Sequence, residues 1–292
     1  MESKQKTIGF IGQGFVGKSI ADDFAARGFE TIRYALEEPY VANKDKVQEA
    51  DIVFVAVPTP STPEGFDASL LEDVLPLVGR GKTVVIKSTI LPGTTEKLQK
   101  AHPDITVLFS PEFLLEASAA HDAAFPIMNI VGIPEDSAAY RELAEQVVAV
   151  LPESPHTQIC SARTAEIFKY VHNIHGVTRI LFANLVYNLS EAHGADWEEL
   201  HTAMNADPYM NEQANYYNRP VHKSGRGAGG HCFIKDLAAF REGYEKDCDD
   251  EEGADVLRAM EAMNVALLRD SNKDLDLLEG VYGAEGTKKA GK

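Results

Sequence analysis

Apolar residues run in short unbroken blocks through the first half of the chain and change to a helical period in the second. The blocks Thr7–Ile11, Thr31–Tyr34, Asp51–Val57, Thr83–Lys87, Thr106–Ser110 and Asn129–Gly132 are rich in β-prone residues and bounded by turn formers, which predicts buried strands. Helical patterns fall between them: one up to about Arg27, then Ser69–Leu77, Thr94–Lys100 and Ser137–Val150. Strands alternating with helices point to an α/β, doubly wound sheet of Rossmann type. From about Ala162 the period stays helical. It predicts one long helix, Thr164–His193, with an apolar face of Ile167, Phe168, Val171, Ile174, Ile180, Leu181 and Leu185. Further helices are expected over Ala195–Met204, Asp236–Tyr244 and Ala254–Leu278. Between them Met210–Lys223 reads as irregular and the acidic run Glu245–Asp255 as a solvated connection. The expected organisation is a Rossmann-like domain over residues 1–160, an all-α domain over 161–282 and a disordered tail over 283–292.

The first strand runs into Gly12-Gln13-Gly14-Phe15-Val16-Gly17 and then a helix. A G-x-G-x-x-G turn between strand and helix allows the tight turn, the close approach of a pyrophosphate and close helix–strand packing. Gly12, Gly14, Phe15, Val16 and Gly17 are therefore candidate cofactor residues. In an NAD-binding unit the second strand ends on an acid for the ribose hydroxyls. Here Ala35 stands at that position, with Glu37 and Glu38 just beyond and Arg33 nearby. NAD is the expected cofactor, and Arg33 leaves a 2′-phosphate open. Other strand ends, where such folds bind ligands, carry Val57-Pro58-Thr59-Pro60, Lys87-Ser88-Thr89 and Ser110-Pro111-Glu112-Phe113-Leu114-Leu115-Glu116.

In the second half, Lys169 and Asn173 fall four residues apart on the long helix, hence on one face, where both can donate to a single oxygen. Four glycines, Gly225, Gly227, Gly229 and Gly230, lead up to Cys232, with Lys235 and Asp236 three and four residues beyond it. A cysteine held by such a turn is a candidate nucleophile if its surroundings favour the thiolate. Taken singly, each feature has a plainer reading: Cys232 as a small buried residue, Asp236 as a helix cap, Glu112 and Glu116 as acids at a helix start.

The 292 residues are 44% hydrophobic with a net charge of -17. That disfavours a nucleic-acid binder, which needs a basic face. Lys223, Arg226, His231 and Lys235 nevertheless cluster in the glycine-rich stretch, which suits a small anionic ligand. Three cysteines, Cys160, Cys232 and Cys248, make no disulfide framework and match no zinc spacing, so no metal is expected. No apolar run approaches the roughly 18 residues of a membrane span. The N-terminus leads straight into a strand without a signal peptide pattern, which makes the cytoplasm the expected compartment.

Taken together, these motifs resemble the UDP-glucose/GDP-mannose 6-dehydrogenase family. They occur in the family's order from the Gly12–Gly17 turn to Gly229-Gly230-x-Cys232-Phe233-x-Lys235-Asp236. The resemblance covers roughly residues 7 to 280 and implies a short form without the family's C-terminal nucleotide-sugar-binding domain. It departs from the family at His231, where serine is usual, and at Tyr216, where a gapless count expects an arginine.

The resemblance implies an NAD-dependent oxidoreductase that turns the 6-hydroxyl of a nucleotide sugar into a carboxylate through a thiohemiacetal and a thioester on Cys232. Lys169 and Asn173 would stabilise oxyanions. Asp236 and Thr89 would position water, and Glu112 would be the base for hydrolysis. Val57, Pro58, Thr59, Ser88, Thr89, Glu116 and Lys235 would contact the cofactor. Glu112, Phe113, Leu114, Lys169, Asn173, Lys223, Gly225, Gly229 and Gly230 would meet the substrate. A homodimer built on the long helix is also implied. Two other classes stay open: a dehydrogenase of the β-hydroxyacid type, which shares the Rossmann domain and the Lys-x-x-x-Asn pair but needs no such cysteine, and a non-catalytic NAD-binding protein.

Overall fold

In the computed structural model, residues 6–208, 210, 217, 219–222 and 225–284 are described. The expected tail beyond residue 284, and Tyr216 and Lys223, lie outside them. The chain divides into two compact units, 1–59 with 67–169, and 60–66 with 170–292.

The first unit is built on a seven-stranded sheet. Its strands are β1 (Ile8–Ile11), β2 (Thr31–Tyr34), β3 (Ile52–Val55), β6 (Thr83–Ile86), β7 (Thr106–Phe109), β8 (Asn129–Ile133) and β9 (Thr157–Ser161), in the order β2-β1-β3-β6-β7-β8-β9. The pairing is parallel except between β7 and β8. Strands covered on both faces need apolar residues at every position, not alternate ones. That is why β1, β3 and β6 read as unbroken blocks and are buried throughout. β9 escapes the sequence pattern. It is an edge strand, half exposed, and its Thr-Gln-Ile-Cys-Ser carries no apolar run.

Helices α1 (Phe15–Ala26), α2 (Ser69–Val74), α3 (Thr94–Ala101), α4 (Ala119–Ala124) and α5 (Ala138–Val148) accompany the strands. α1 buries Ile20, Ala21 and Phe24, and the Phe24 ring meets Phe10 at 5.5 Å and Phe54 at 5.3 Å. The N-terminus of α3 has no cap of its own. Glu166 supplies it across 71 residues of sequence: its fully buried carboxylate accepts from Gly93 N (2.6 Å), Thr95 N (2.9 Å) and Thr95 Oγ1 (2.6 Å).

Helix α6 spans Ala162–His193, with Ala162 and Ala165 packed under Gly132 of β8. Its expected apolar face is only partly an internal one. Ile174, Ile180 and Leu181 are buried, while Ile167, Val171 and Leu185 are 45–54% exposed in the single chain.

The second unit holds most of α6, the hairpin β4 (Ser61–Thr62) and β5 (Gly65–Phe66), α7 (Trp197–Ala206), and the hairpin β10 (Val221–His222) and β11 (Gly225–Arg226). Three helices follow: Gly230–Asp247, Glu251–Asp270 and Leu275–Tyr282. Two expectations need correction. The helix expected from Asp236 starts six residues earlier, at Gly230, so Cys232 stands in its first turn, not in a loop. The helix expected over Ala254–Leu278 is broken after Asp270, where Asn272 and Asp274 take left-handed backbone angles (φ 51° and 52°) that short polar side chains tolerate best. The acidic run is mostly helical as well. Its acids are answered by Arg258, which pairs with Glu245, Glu251 and Asp255, and by Arg241, which also pairs with Glu245.

Candidate active site

The Gly12–Gly17 turn fits a dinucleotide. Gly12 has φ +90°, and a Cβ there would run into the Ala56 carbonyl, so only glycine makes the turn. A Cβ on Gly14 would meet nothing within 4 Å, so the space above the turn is open. Gly14 caps α1 without any side-chain hydrogen bond, which leaves the first N–H groups of the helix for an anion. Phe15 lies at the surface, 41% exposed. Arg33 is committed elsewhere: its guanidinium donates to Asp22 Oδ1 (2.5 Å) and to the Ala21 carbonyl (2.8 Å).

Two more strand ends are locked together nearby in sequence order. Ser88 Oγ accepts from Val57 N (3.0 Å) and donates to Val57 O (2.7 Å), and Thr59 Oγ1 donates to the Thr89 carbonyl (2.7 Å). Thr59, Ser88 and Thr89 are buried and Pro58 is exposed. Glu116 opens a short turn and is exposed.

The same unit contains a buried cluster of ionisable groups at the end of β6 and β7. Lys169 Nζ donates to the Glu112 backbone carbonyl (2.7 Å) and to Glu112 Oε1 (3.1 Å), with 4% and 9% of the two side chains exposed. Glu112 Oε2 accepts from Leu114 N (2.7 Å), which fixes the turn after Pro111. The Lys169 ammonium also stands 5.6 Å from the centre of the Phe113 ring. Lys87, at the end of β6, donates to Ser110 Oγ at 2.9 Å. Burial pushes the Lys87 ammonium down to about 8; Glu112 opposes that shift and Lys169 adds to it. Lys87 and Ser110 were not singled out from sequence beyond their motifs. The available signal was a lysine closing an otherwise apolar strand.

In the second unit the Cys232 helix has its own buried group. Asp236 is 1% exposed and accepts from Asn173 Nδ2 (2.5 Å) and Lys235 Nζ (2.5 Å). It is not the helix cap, because it lies well inside the helix. Cys232 and Asp236 fall on one face, four residues apart. Cys232 and the Lys235 side chain are half-buried, and His231 is exposed. The Lys235 carbonyl accepts from Ser61 Oγ at 3.1 Å. Lys169 and Asn173 therefore donate to separate carboxylates here, not to one oxygen. Arg226 of β11 donates to Asn184 Oδ1 and Asn188 Oδ1, both at 2.7 Å.

A mostly parallel sheet with an anion-ready glycine turn, followed by a helical unit with a cysteine at a helix start, is the architecture of a two-domain dinucleotide-binding protein. Residues 37–150 match the NAD-binding domain of the UDP-glucose/GDP-mannose dehydrogenase family and residues 163–266 its central domain. The chain belongs to that family and carries its NAD-binding domain. GDP-mannose 6-dehydrogenase of Pseudomonas aeruginosa is 32% identical over 221 residues, 68% of this chain and 47% of that protein. The chain spans about half the length of the first curated relatives it matches. Among solved structures, a UDP-glucose dehydrogenase from Pyrobaculum islandicum superposes with a TM-score of 0.76 at 24% identity, over 95% of this chain and 71% of that one. A 3-hydroxyisobutyrate dehydrogenase from Mycobacterium tuberculosis shares the fold at 16% identity, with a TM-score of 0.67 over 89% of this chain and 95% of that one.

Proposed function

We propose that the protein takes part in the NAD-dependent oxidation of the 6-hydroxyl of a nucleotide sugar, UDP-glucose-like, to the carboxylate. The observation that carries this reading is Cys232 in the first turn of its helix, four residues before a buried Asp236 bonded to Asn173 and Lys235, within a chain of this family. A helix N-terminus favours an anionic sulfur, which is the form that attacks carbon.

NAD, when bound, would accept the hydride of the sugar carbon in each of two oxidations; in the first the hydroxyl proton goes to solvent and an aldehyde is left. The residues of this chain do the rest. Gly12, Gly14 and Gly17 with the start of α1 hold the pyrophosphate. The Cys232 thiolate adds to the aldehyde carbon, forming a C–S bond and a thiohemiacetal alkoxide. Oxidation of that adduct leaves a thioester on Cys232. Water then adds to the thioester carbonyl, the C–S bond breaks, and the thiol and the carboxylate are released. Lys169 and Asn173 stabilise the oxyanions of these steps. Glu112 takes the proton of the attacking water, with Asp236 and Thr89 orienting it. Glu116 and Lys235 contact the cofactor side, and Gly225, Gly229 and Gly230 follow the sugar. The covalent intermediate explains a nucleophile in a dehydrogenase: it holds the aldehyde for a second oxidation.

A homodimer through α6 belongs to the same reading. Val171, Phe182, Leu185 and Leu189 recur at helical spacing and are 48–61% exposed in the single chain, an apolar stripe of the width that a second helix covers.

The test is NADH formation with a panel of nucleotide sugars, run beside Cys232→Ala. Turnover on one of them that requires Cys232 supports the reading. NAD binding without turnover on any of them overturns it. Oxidation of a small hydroxyacid left intact by Cys232→Ser moves the protein to the β-hydroxyacid class whose fold it shares.

A further inference from the structure

The glycine-rich segment before Cys232 is held by more than the β10–β11 pairing at its start. Side chains from a segment some 40 residues further on hold it. Ala228 N donates to Asn264 Oδ1 (2.7 Å) and Ala228 O accepts from Asn264 Nδ2 (3.0 Å). Arg226 N donates to Ser271 Oγ at 2.9 Å. The Lys273 ammonium donates to two carbonyls, Gly227 O at 2.9 Å and Gly225 O at 3.3 Å. Asp274 Oδ2 accepts from Gly230 N at 2.8 Å, so it supplies the cap that Gly229 cannot give to the Cys232 helix. A Cβ on Gly229 would collide with the Asp274 carboxylate, which makes the approach available to glycine alone.

Asn264 and Lys273 are 2% and 4% exposed. A buried ammonium is a costly way to hold a turn, and an apolar contact of the same shape would stabilise it as well. Charge-assisted hydrogen bonds give direction instead: they fix where the carbonyls and the first helical N–H point. Ser271, Lys273 and Asp274 sit in the break between the last two helices, where Asp274 has left-handed backbone angles. Burial, with the Lys273 and Arg219 charges adding to it, pushes the neighbouring His222 imidazole down to about 4, so His222 adds no charge to this neighbourhood at neutral pH. All of these residues belong to the second unit. The match to the family's central domain ends at residue 266, so three of the four holding residues lie beyond it.

We propose that Lys273 and Asp274, with Asn264 and Ser271, are positioning residues for Cys232: they lock the turn at Gly225–Gly230 so that the first helical turn holds the sulfur as a thiolate. This rests on the reading of Cys232 as the nucleophile.

The test follows the sulfur, not turnover. The pH dependence of iodoacetamide alkylation is measured at the Cys232 peptide by mass spectrometry, which separates it from Cys160 and Cys248. Wild type is compared with Lys273→Met and Ser271→Ala after circular dichroism and gel filtration have shown each to be folded. Release of the turn raises the pH midpoint of Cys232 alkylation and lowers its rate at neutral pH by about tenfold in Lys273→Met, because the thiolate is the reactive form. Ser271→Ala, which removes no charge, moves the midpoint in the same direction by less. Wild-type midpoints in the folded variants overturn the proposal, and if Lys273→Met does not fold, Ser271→Ala alone decides. A wild type that oxidises no nucleotide sugar while both midpoints shift sinks the proposed reaction and leaves this inference standing. Turnover with unmoved midpoints does the reverse.

Discussion

Lys169 gives one ammonium to two acceptors of the same residue, the backbone carbonyl of Glu112 at 2.7 Å and its carboxylate at 3.1 Å. The pair is almost wholly buried, so each charge depends on the other. Lys169→Met takes the paired charge from the buried Glu112 carboxylate, leaving it Leu114 N and the nearby Lys87 ammonium, and is expected to cost about 3 kcal/mol of stability. The double variant Lys169→Met/Glu112→Gln recovers part of that loss, because the orphaned charge is gone. Urea unfolding of the two variants checks this. Equal loss in both would show that the pair is not coupled.

Lys87 makes stability depend on pH at the alkaline end. Its ordinary value is 10.5 and burial lowers it to about 8 in the folded chain. Between those values the unfolded chain holds the proton and the folded chain does not, so stability rises with pH. Below about 8 both forms carry the charge and the full burial cost is present. Referenced to Lys87→Met, the wild type is expected to gain about 3 kcal/mol between about pH 7 and about pH 10.5. Urea titrations at the two pH values measure it, and a difference that does not change with pH would mean that Lys87 titrates at its ordinary value.

The glycine turn separates folding from cofactor binding. Gly14→Ala meets no atom of the chain, so its melting temperature is expected to match the wild type. If NAD approaches through the space that the methyl would fill, affinity is expected to fall by about tenfold, or ~1.4 kcal/mol. Gly12→Ala, at φ +90° and against the Ala56 carbonyl, destabilises the fold itself by about 1–3 kcal/mol or more. Calorimetric titration with NAD and thermal melts distinguish the two variants. Unchanged NAD affinity in Gly14→Ala would place the pyrophosphate elsewhere.

If α6 pairs with its copy, an acid in the apolar stripe breaks the pair. Leu185→Asp is expected to halve the mass seen by light scattering while leaving the monomer folded, because Leu185 is 54% exposed in the single chain. A wild type that already runs as a monomer would refute the dimer.

The sheet was legible because strands covered on both faces leave unbroken apolar runs, as at Ile52–Val55 and Thr83–Ile86. β9 was not, because an edge strand needs no such run. Pattern also missed the start of the Cys232 helix: Gly230 is a poor helix former, and the carboxylate that caps it, Asp274, comes 44 residues later. The long helix was legible in length. Its periodicity could not tell which apolar residues face inward, since Leu181 and Leu185 look alike in sequence and differ in burial. Among the candidate residues, Glu112, Lys169, Asn173, Cys232 and Asp236 were named from sequence alone. Their pairing was not, because the partner of each carboxylate is chosen by tertiary packing. Lys273 was overlooked, and Lys87 was named only within its motif, for the same reason. Lysines read as surface residues until the fold shows them at 7% and 4% exposure.

In the proposed reaction Cys232 carries the sugar carbon between two oxidations. The most direct measurement is the NADH formed per nucleotide sugar consumed, for the wild type and for Cys232→Ala. Two NADH per sugar and a carboxylate product are expected for the wild type, and loss of that product in the variant. One NADH per sugar, or two per sugar with Cys232→Ala unimpaired, would contradict it.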